Sequence, residues 1–315
     1  MAVVAFLGWR LAQDQAEHGQ GLRLAARGQF DAAEPLLARS NERNPRDVDV
    51  VRALAVGHLS ARHATEAEAF LNRWCELRPD DPEPYRRRLE LWTKQQKAAQ
   101  LVADARQVLR FDPNDFRTRV LLAEWLLIDG RFAEAEEEAR RCLRDRPKQT
   151  QLWYLLARAY HGQKRTAEAT EIADRLVREG PKFSAGLRLR AQLYAEAGQY
   201  EPAIRLLRQA AELKEPERVT TLYELSQLLA RTGREAEGKQ VLAEMRLKQA
   251  EDLWEGDEHR DTNAALQARV VDAMMAAGQA DRAARFLSDI LRRNPGATGT
   301  RELLDRLKGH DKVTR

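Results

Sequence analysis

Five short stretches decide the fold: Asn-Glu-Arg-Asn-Pro at 41–45, Cys-Glu-Leu-Arg-Pro at 75–79, Leu-Arg-Phe-Asp-Pro at 109–113, Leu-Arg-Asp-Arg-Pro at 143–147 and Val-Arg-Glu-Gly-Pro at 177–181. Pro45, Pro79, Pro113, Pro147 and Pro181 each lie 34 residues from the next. Proline lacks the backbone donor a helix interior needs, so each stretch reads as the end of a helix. A fixed period of this length marks a repeat architecture.

Other columns keep the same period. A turn follows the first helix of each unit, marked by Gly28, Gly130, Gly198, Gly233 and Gly278. Five positions later a small residue recurs as Ala33, Ala67, Ala135, Ala169, Ala203 and Ala283. A large residue recurs at the eleventh position as Leu24, His58, Trp92, Leu126, Tyr160, Tyr194, Leu229 and Met274. Between these columns the apolar residues fall at i, i+3, i+4 and i+7, the pattern of amphipathic helices. Each unit therefore reads as two helices around a short turn, with alanine permitting close approach and the large residue filling the gap beside it.

This pattern resembles the tetratricopeptide repeat over about nine-tenths of the chain. Phased on the prolines, units begin at Asp14, Val48, Pro82, Phe116, Thr150 and Ser184. A seventh begins one residue late at Val219, with Pro216 in the slipped position. The expected organisation is an apolar segment at 1–13, seven units over 14–252, a polar insertion at 253–263, an eighth unit over 264–297, and a capping helix with a tail over 298–315. The pattern weakens at Arg62, Gln96 and Gly238, and the insertion is the expected place for a break in stacking. The resemblance implies an all-α, right-handed superhelix, because a unit buries its apolar face only against neighbours.

Composition agrees. Of 315 residues, 43% are apolar and 32% charged, which excludes disordered and collagen-like chains. With 53 basic and 49 acidic residues the net charge is only +4, short of the dense basic stripe of a dedicated nucleic-acid binder. Arginine outnumbers lysine 43 to 10, a bias of GC-rich bacterial genomes. Cys75 and Cys142 form no metal or disulfide framework and read as small buried hydrophobes. Residues 1–9, Met-Ala-Val-Val-Ala-Phe-Leu-Gly-Trp, are apolar but short of the ~20 residues a spanning helix needs. They read either as the distal end of a membrane anchor or as a lead-in packed on the first repeat.

No phosphate-binding, nucleophile-elbow or paired-histidine metalloprotease motif is present in the sequence, so no catalytic residue, metal or cofactor is expected. No histidine pairs with another at i+3 or i+4, and His58 reads as a core residue. Glu134, Glu136, Glu137 and Glu138 open a second helix, where the dipole favours acid. Trp92 and Trp153 read as core, Trp125 as lying beside a core column, and Trp74 as partly exposed.

In the family that the repeat resembles, positions 2, 5, 9, 12 and 13 of each unit face a groove that holds an extended peptide or helix. Carried onto this chain, the candidates include a basic ladder of Arg52, Arg86, Arg158 and Arg188, with Arg87 and Glu90 beside it. An apolar stretch of Val120, Leu127 and Ile128 surrounds Glu124, and Tyr154 and His161 follow in the next unit. Gln192, Tyr223 and Gln227 complete the set. Arginine suits bidentate carboxylate contacts and tyrosine an amphipathic anchor, so an acidic or apolar partner protein is expected. The Lys and Asn pair of chaperone-tail clamps is missing, as are the lipidated cysteine of pilus-assembly relatives and the zinc ribbon of lipopolysaccharide regulators. The expectation is a non-enzymatic cytoplasmic scaffold for another protein. The alternatives are a subunit of a membrane-anchored envelope assembly, held through a longer N-terminal segment, and, less favoured, a nucleic-acid-binding helical repeat.

Overall fold

The computed structural model describes residues 1–213 and 217–313, all helix and short turn, with no strand among the described residues. Pro216 lies outside the described residues. The helices pair as the period requires: α1 (Ala2–Ala26) with α2 (Phe30–Arg43), α3 (Val48–Ser60) with α4 (Ala64–Leu77), α5 (Pro82–Gln95) with α6 (Ala98–Phe111), and α7 (Phe116–Ile128) with α8 (Phe132–Asp145). Then come α9 (Thr150–Gly162), α10 (Thr166–Glu179), α11 (Ser184–Glu196), α12 (Tyr200–Glu212), α13 (Arg218–Arg231), α14 (Glu235–Gly256), α15 (Ala264–Ala276), α16 (Ala280–Arg293) and α17 (Thr298–Val313).

Local chemistry sets these boundaries. Asp47, Asp81 and Asp115 cap α3, α5 and α7, accepting from backbone N–H groups of the first turn. This satisfies donors that a helix start leaves unpaired. The turn within each pair needs one left-handed residue. Gly130 supplies it at φ +75°, whereas Arg62, Gln96 and Lys164 adopt φ of 63°, 55° and 63° at the equivalent place. The two sequence departures at Arg62 and Gln96 are therefore side chains held in a backbone conformation that glycine adopts freely. Gly238 stands where other units carry alanine, and a Cβ there would lie 3.1 Å from the Ser226 carbonyl oxygen.

The small-residue column is the closest-packed part of the chain. Ala33, Ala67, Ala135, Ala169, Ala203 and Ala283 are all fully buried. His58, Trp92, Leu126, Tyr160, Leu229 and Met274 of the large column are buried too, and Trp125 is buried beside them. Trp74 is only 2% exposed, against the expectation of partial exposure, because the end of α4 packs inward beside Cys75. Trp153 is half-buried rather than core, and its indole N–H donates to the Pro147 carbonyl at 2.8 Å.

The chain divides into two compact units, residues 1–165 and 166–315. The division falls between α9 and α10, inside a repeat. At the insertion, residues 253–256 continue α14, which packs along α15. In the second unit α17 packs on α15 and α16 and contributes Leu304 and Leu307 to their core. In the first unit Phe6, Trp9 and Leu11 on α1 are 56%, 63% and 64% exposed. Phe6 and Trp9, within the segment that reads either as the end of an anchor or as a packed lead-in, thus stand in solvent. No helix among the described residues is long and apolar enough to cross a membrane.

A polar contact crosses between neighbouring repeats at one recurring place in the first unit. Glu68 of α4 accepts from the Lys97 ammonium at 3.0 Å, and that ammonium lies 4.8 Å over the Trp92 ring. Glu136 of α8 accepts from Arg165 at 2.8 Å, and the guanidinium lies 4.2 Å over Tyr160. In the same columns the preceding repeat has Glu34, His63 and His58. His58 stacks on Phe70, meets Phe30 edge-on, and places Nδ1 3.4 Å from that of His63 and Nε2 3.9 Å from Glu34. Burial lowers the pKa of His58 below its ordinary value of 6.5, outweighing Glu34 and Glu66, while His63 lowers it further.

A histidine kept neutral by folding takes up its proton first in the unfolded chain, so its contribution is present above the ordinary histidine range and is lost as pH falls. Urea midpoints should fall from pH 7.5 to pH 5.5 in the wild type. They should fall less in His58→Phe, which keeps the aromatic contacts and removes the proton site.

Candidate partner-binding face

Where the first helices of two repeats pack on each other, residues recurring at one position lie near each other across a face. In the first unit α1 packs on α3 and α7 packs on α9. Arg52, Arg86, Arg87, Glu90, Val120, Glu124, Leu127, Ile128, Tyr154, Arg158 and His161 belong to this unit. Arg188, Gln192, Tyr223 and Gln227 belong to the second and form a separate group.

The arginines do not form a free ladder. Arg52 is exposed and bonds Asp49 of its own helix at 2.9 Å. Arg86 reaches forward to Asp115 at 3.2 Å and Asp112 at 3.5 Å. Burial works to raise the pKa of Asp115, but hydrogen bonds from Thr118 and Arg86 outweigh it and hold the carboxyl below its ordinary value. Arg86 therefore braces the aspartate that caps α7. Arg87 is taken by Glu83 at 2.8 Å and Glu90 at 3.6 Å. In the second unit Arg188 of α11 donates to Glu224 of α13 at 2.9 and 2.5 Å, and to Glu217 at 3.3 Å. Gln192 bonds Glu196, while Tyr223 is 50% exposed and Gln227 is exposed.

The α7–α9 region differs. Ile128 is 61% exposed at the end of α7, whereas Leu127 beside it is buried and contributes to the core instead of the surface. Val120 and Glu124 are half-buried on the same side of α7, one turn apart. On α9, Tyr154 and His161 are half-buried, and the exposed Arg158 places its guanidinium 5.8 Å from the Tyr154 ring centroid. Arg158 has no ion-pair partner among the described residues. Gln151, which sequence reading did not single out, donates its side-chain amide to Glu124 at 3.3 Å and ties α9 to α7. Its signal was present, since it holds position 2 of its repeat. Burial raises the pKa of Glu124 above the usual carboxylate value, and the Gln151 hydrogen bond offsets this only in part.

The opposite, second-helix side carries many internal ion pairs. Arg106 and Arg131 share Glu134, and three repeats further on, in the second unit, Arg208 and Arg234 share Glu237. A cleft of ≈ 410 Å³ between α6, α7 and α8 is rimmed by such pairs, among them Arg119 with Glu138 at 2.8 Å. Burial pushes the Cys75 and Cys142 thiols up to about 11, which suits inert core residues. No group of metal-ligating side chains occurs among the described residues.

Comparison with known proteins now bears on this geometry. One family model of the tetratricopeptide repeat matches residues 24–88 and 126–193, and a second matches 188–252, so that together they cover more than half of the chain. A tetratricopeptide repeat protein from Parabacteroides merdae is 15% identical with a TM-score of 0.57, over 83% of this chain and 98% of its own. Residues 41 to the end of MamA from Desulfovibrio magneticus align at 19% identity and TM-score 0.47, over 53% and 94%. YrrB, described as a TPR protein with an unusual peptide-binding site, aligns at 15% and 0.46, over 60% and 96%. No curated protein matches the chain.

Two of the groove-position arginines of the first unit, Arg86 and Arg158, should behave differently. Arg86→Ala, which uncouples a brace on the α7 cap, should cost about 1–2 kcal/mol in urea unfolding. Arg158→Ala, which removes an exposed side chain without an ion pair, should stay within about 0.5 kcal/mol.

Proposed function

The chain belongs to the tetratricopeptide repeat family, whose arrays serve as scaffolds for protein interaction, and we propose that it captures a peptide or helix of a partner protein on the α7–α9 face of its first unit. The reading includes no catalytic step. One observation carries it: Ile128 stands 61% exposed on the same side of α7 as the half-buried Val120 and Glu124, while Arg86 and Arg87 of the preceding repeat bond within the chain. An apolar centre with a polar rim is what a protein partner requires. Tyr154 adds an anchor of the kind that concentrates affinity.

The test is capture from a nuclease-treated native lysate by the wild type and by Ile128→Asp, with far-UV circular dichroism as the control for helicity. The expected result is a protein held by the wild type after nuclease and in 0.5 M salt, reduced at least about tenfold on Ile128→Asp at unchanged helicity. Equal capture by both would remove the α7–α9 face as the working surface. Capture that disappears with nuclease or salt would favour the nucleic-acid alternative.

A further inference from the structure

Resting on the capture reading above, we propose that Glu124 is the partner-selecting residue of this face, and that it receives a lysine or arginine side chain of the partner flanked by apolar residues. Glu124 lies in the middle of α7, with Val120 and Ile128 one turn to either side on the same face. It is half-buried, yet it accepts a single hydrogen bond among the described residues, from the neutral amide of Gln151 at 3.3 Å. Its second carboxylate oxygen has no donor among the described residues.

Every comparable carboxylate nearby is matched by a cation of the chain: Asp115 by Arg86, Glu83 and Glu90 by Arg87, Glu138 by Arg119. The cation best placed to serve Glu124 is Arg158, at the same position of the next repeat. It is turned toward the Tyr154 ring and makes no ion pair with Glu124. Burial raises the pKa of Glu124, and no charged neighbour of the chain opposes it. The folded chain therefore carries a half-buried carboxylate that no cation of the described residues meets.

Such a residue weakens the free protein, which marks it as serving something outside the chain. A partner cation would complete it with charge-assisted hydrogen bonds in partly desolvated surroundings. Val120 and the exposed Ile128 would cover the aliphatic stem of that side chain and its apolar neighbours. The chemistry expected of the partner is thus basic and apolar; of the arginines that suggested an acidic partner, Arg52, Arg86 and Arg188 are occupied within the chain, and only Arg158 makes no ion pair among the described residues.

The experiment has two arms. In the first, the urea midpoint of free Glu124→Gln is compared with wild type at pH 7.5. The midpoint should rise, because the unmatched charge is gone. A fall would mean that Glu124 is paired within the chain and would overturn the proposal.

In the second, random twelve-residue peptides displayed on phage are selected on wild type, Glu124→Gln and Ile128→Asp. The wild-type pool should be enriched in lysine or arginine next to an apolar residue. A synthetic peptide from that pool should bind Glu124→Gln at least about tenfold more weakly. A wild-type pool without basic enrichment, or equal affinity for Glu124→Gln, overturns the role of Glu124 and leaves peptide capture standing. If Ile128→Asp selects the same pool as the wild type, the face itself is wrong. An empty wild-type pool contradicts both readings.

Discussion

The buried alanine column is the constraint on which the rest of the structure depends. Ala33, Ala67, Ala135, Ala169, Ala203 and Ala283 leave no surface exposed, so each of these second helices is packed closely at its alanine. That contact fixes the register of each pair and turns the large column beside it into the packed core. In the first unit α1 also lies against α3 and α7 against α9, which brings residues 34 positions apart near each other on one surface. A larger side chain at an alanine position would separate the pair and disturb every column that follows from it.

Charge is arranged within the frame this contact creates. Glu68 with Lys97 over Trp92, and Glu136 with Arg165 over Tyr160, show one polar device reused between repeats. Arg86 with Asp115 and Arg188 with Glu224 do the same on the first-helix side of their respective units. Exposed pairs of this kind add little individually, and their value lies in leaving few charges unmatched. Against that background the exposed Ile128, the half-buried Glu124 without a matching cation and Arg158 without an ion pair stand out among the described residues.

The fold was legible because the same physics is written repeatedly. Proline spacing gave the helix ends, and unit starts such as Val48, Phe116, Thr150 and Ser184 are the first residues of α3, α7, α9 and α11. The face was legible only as a set of positions. Position alone did not say that Arg86 would reach Asp115, because the reach of a long side chain depends on the carboxylate the next repeat offers. Nor did it show Trp74 turning inward, or Phe6 and Trp9 standing in solvent on a helix begun before the first unit. Leu127 illustrates the same limit: it shares the apolar stretch with Ile128, but one step of 100° around the helix takes it into the core.

The most direct measurement is site-specific photocrosslinking in a native lysate. A benzophenone side chain at position 128 on α7 is compared with one at position 110 on α6. The predicted result is a protein adduct formed from 128 and not from 110. Adducts from 110 alone, or none from 128, would contradict a working surface on the first-helix face.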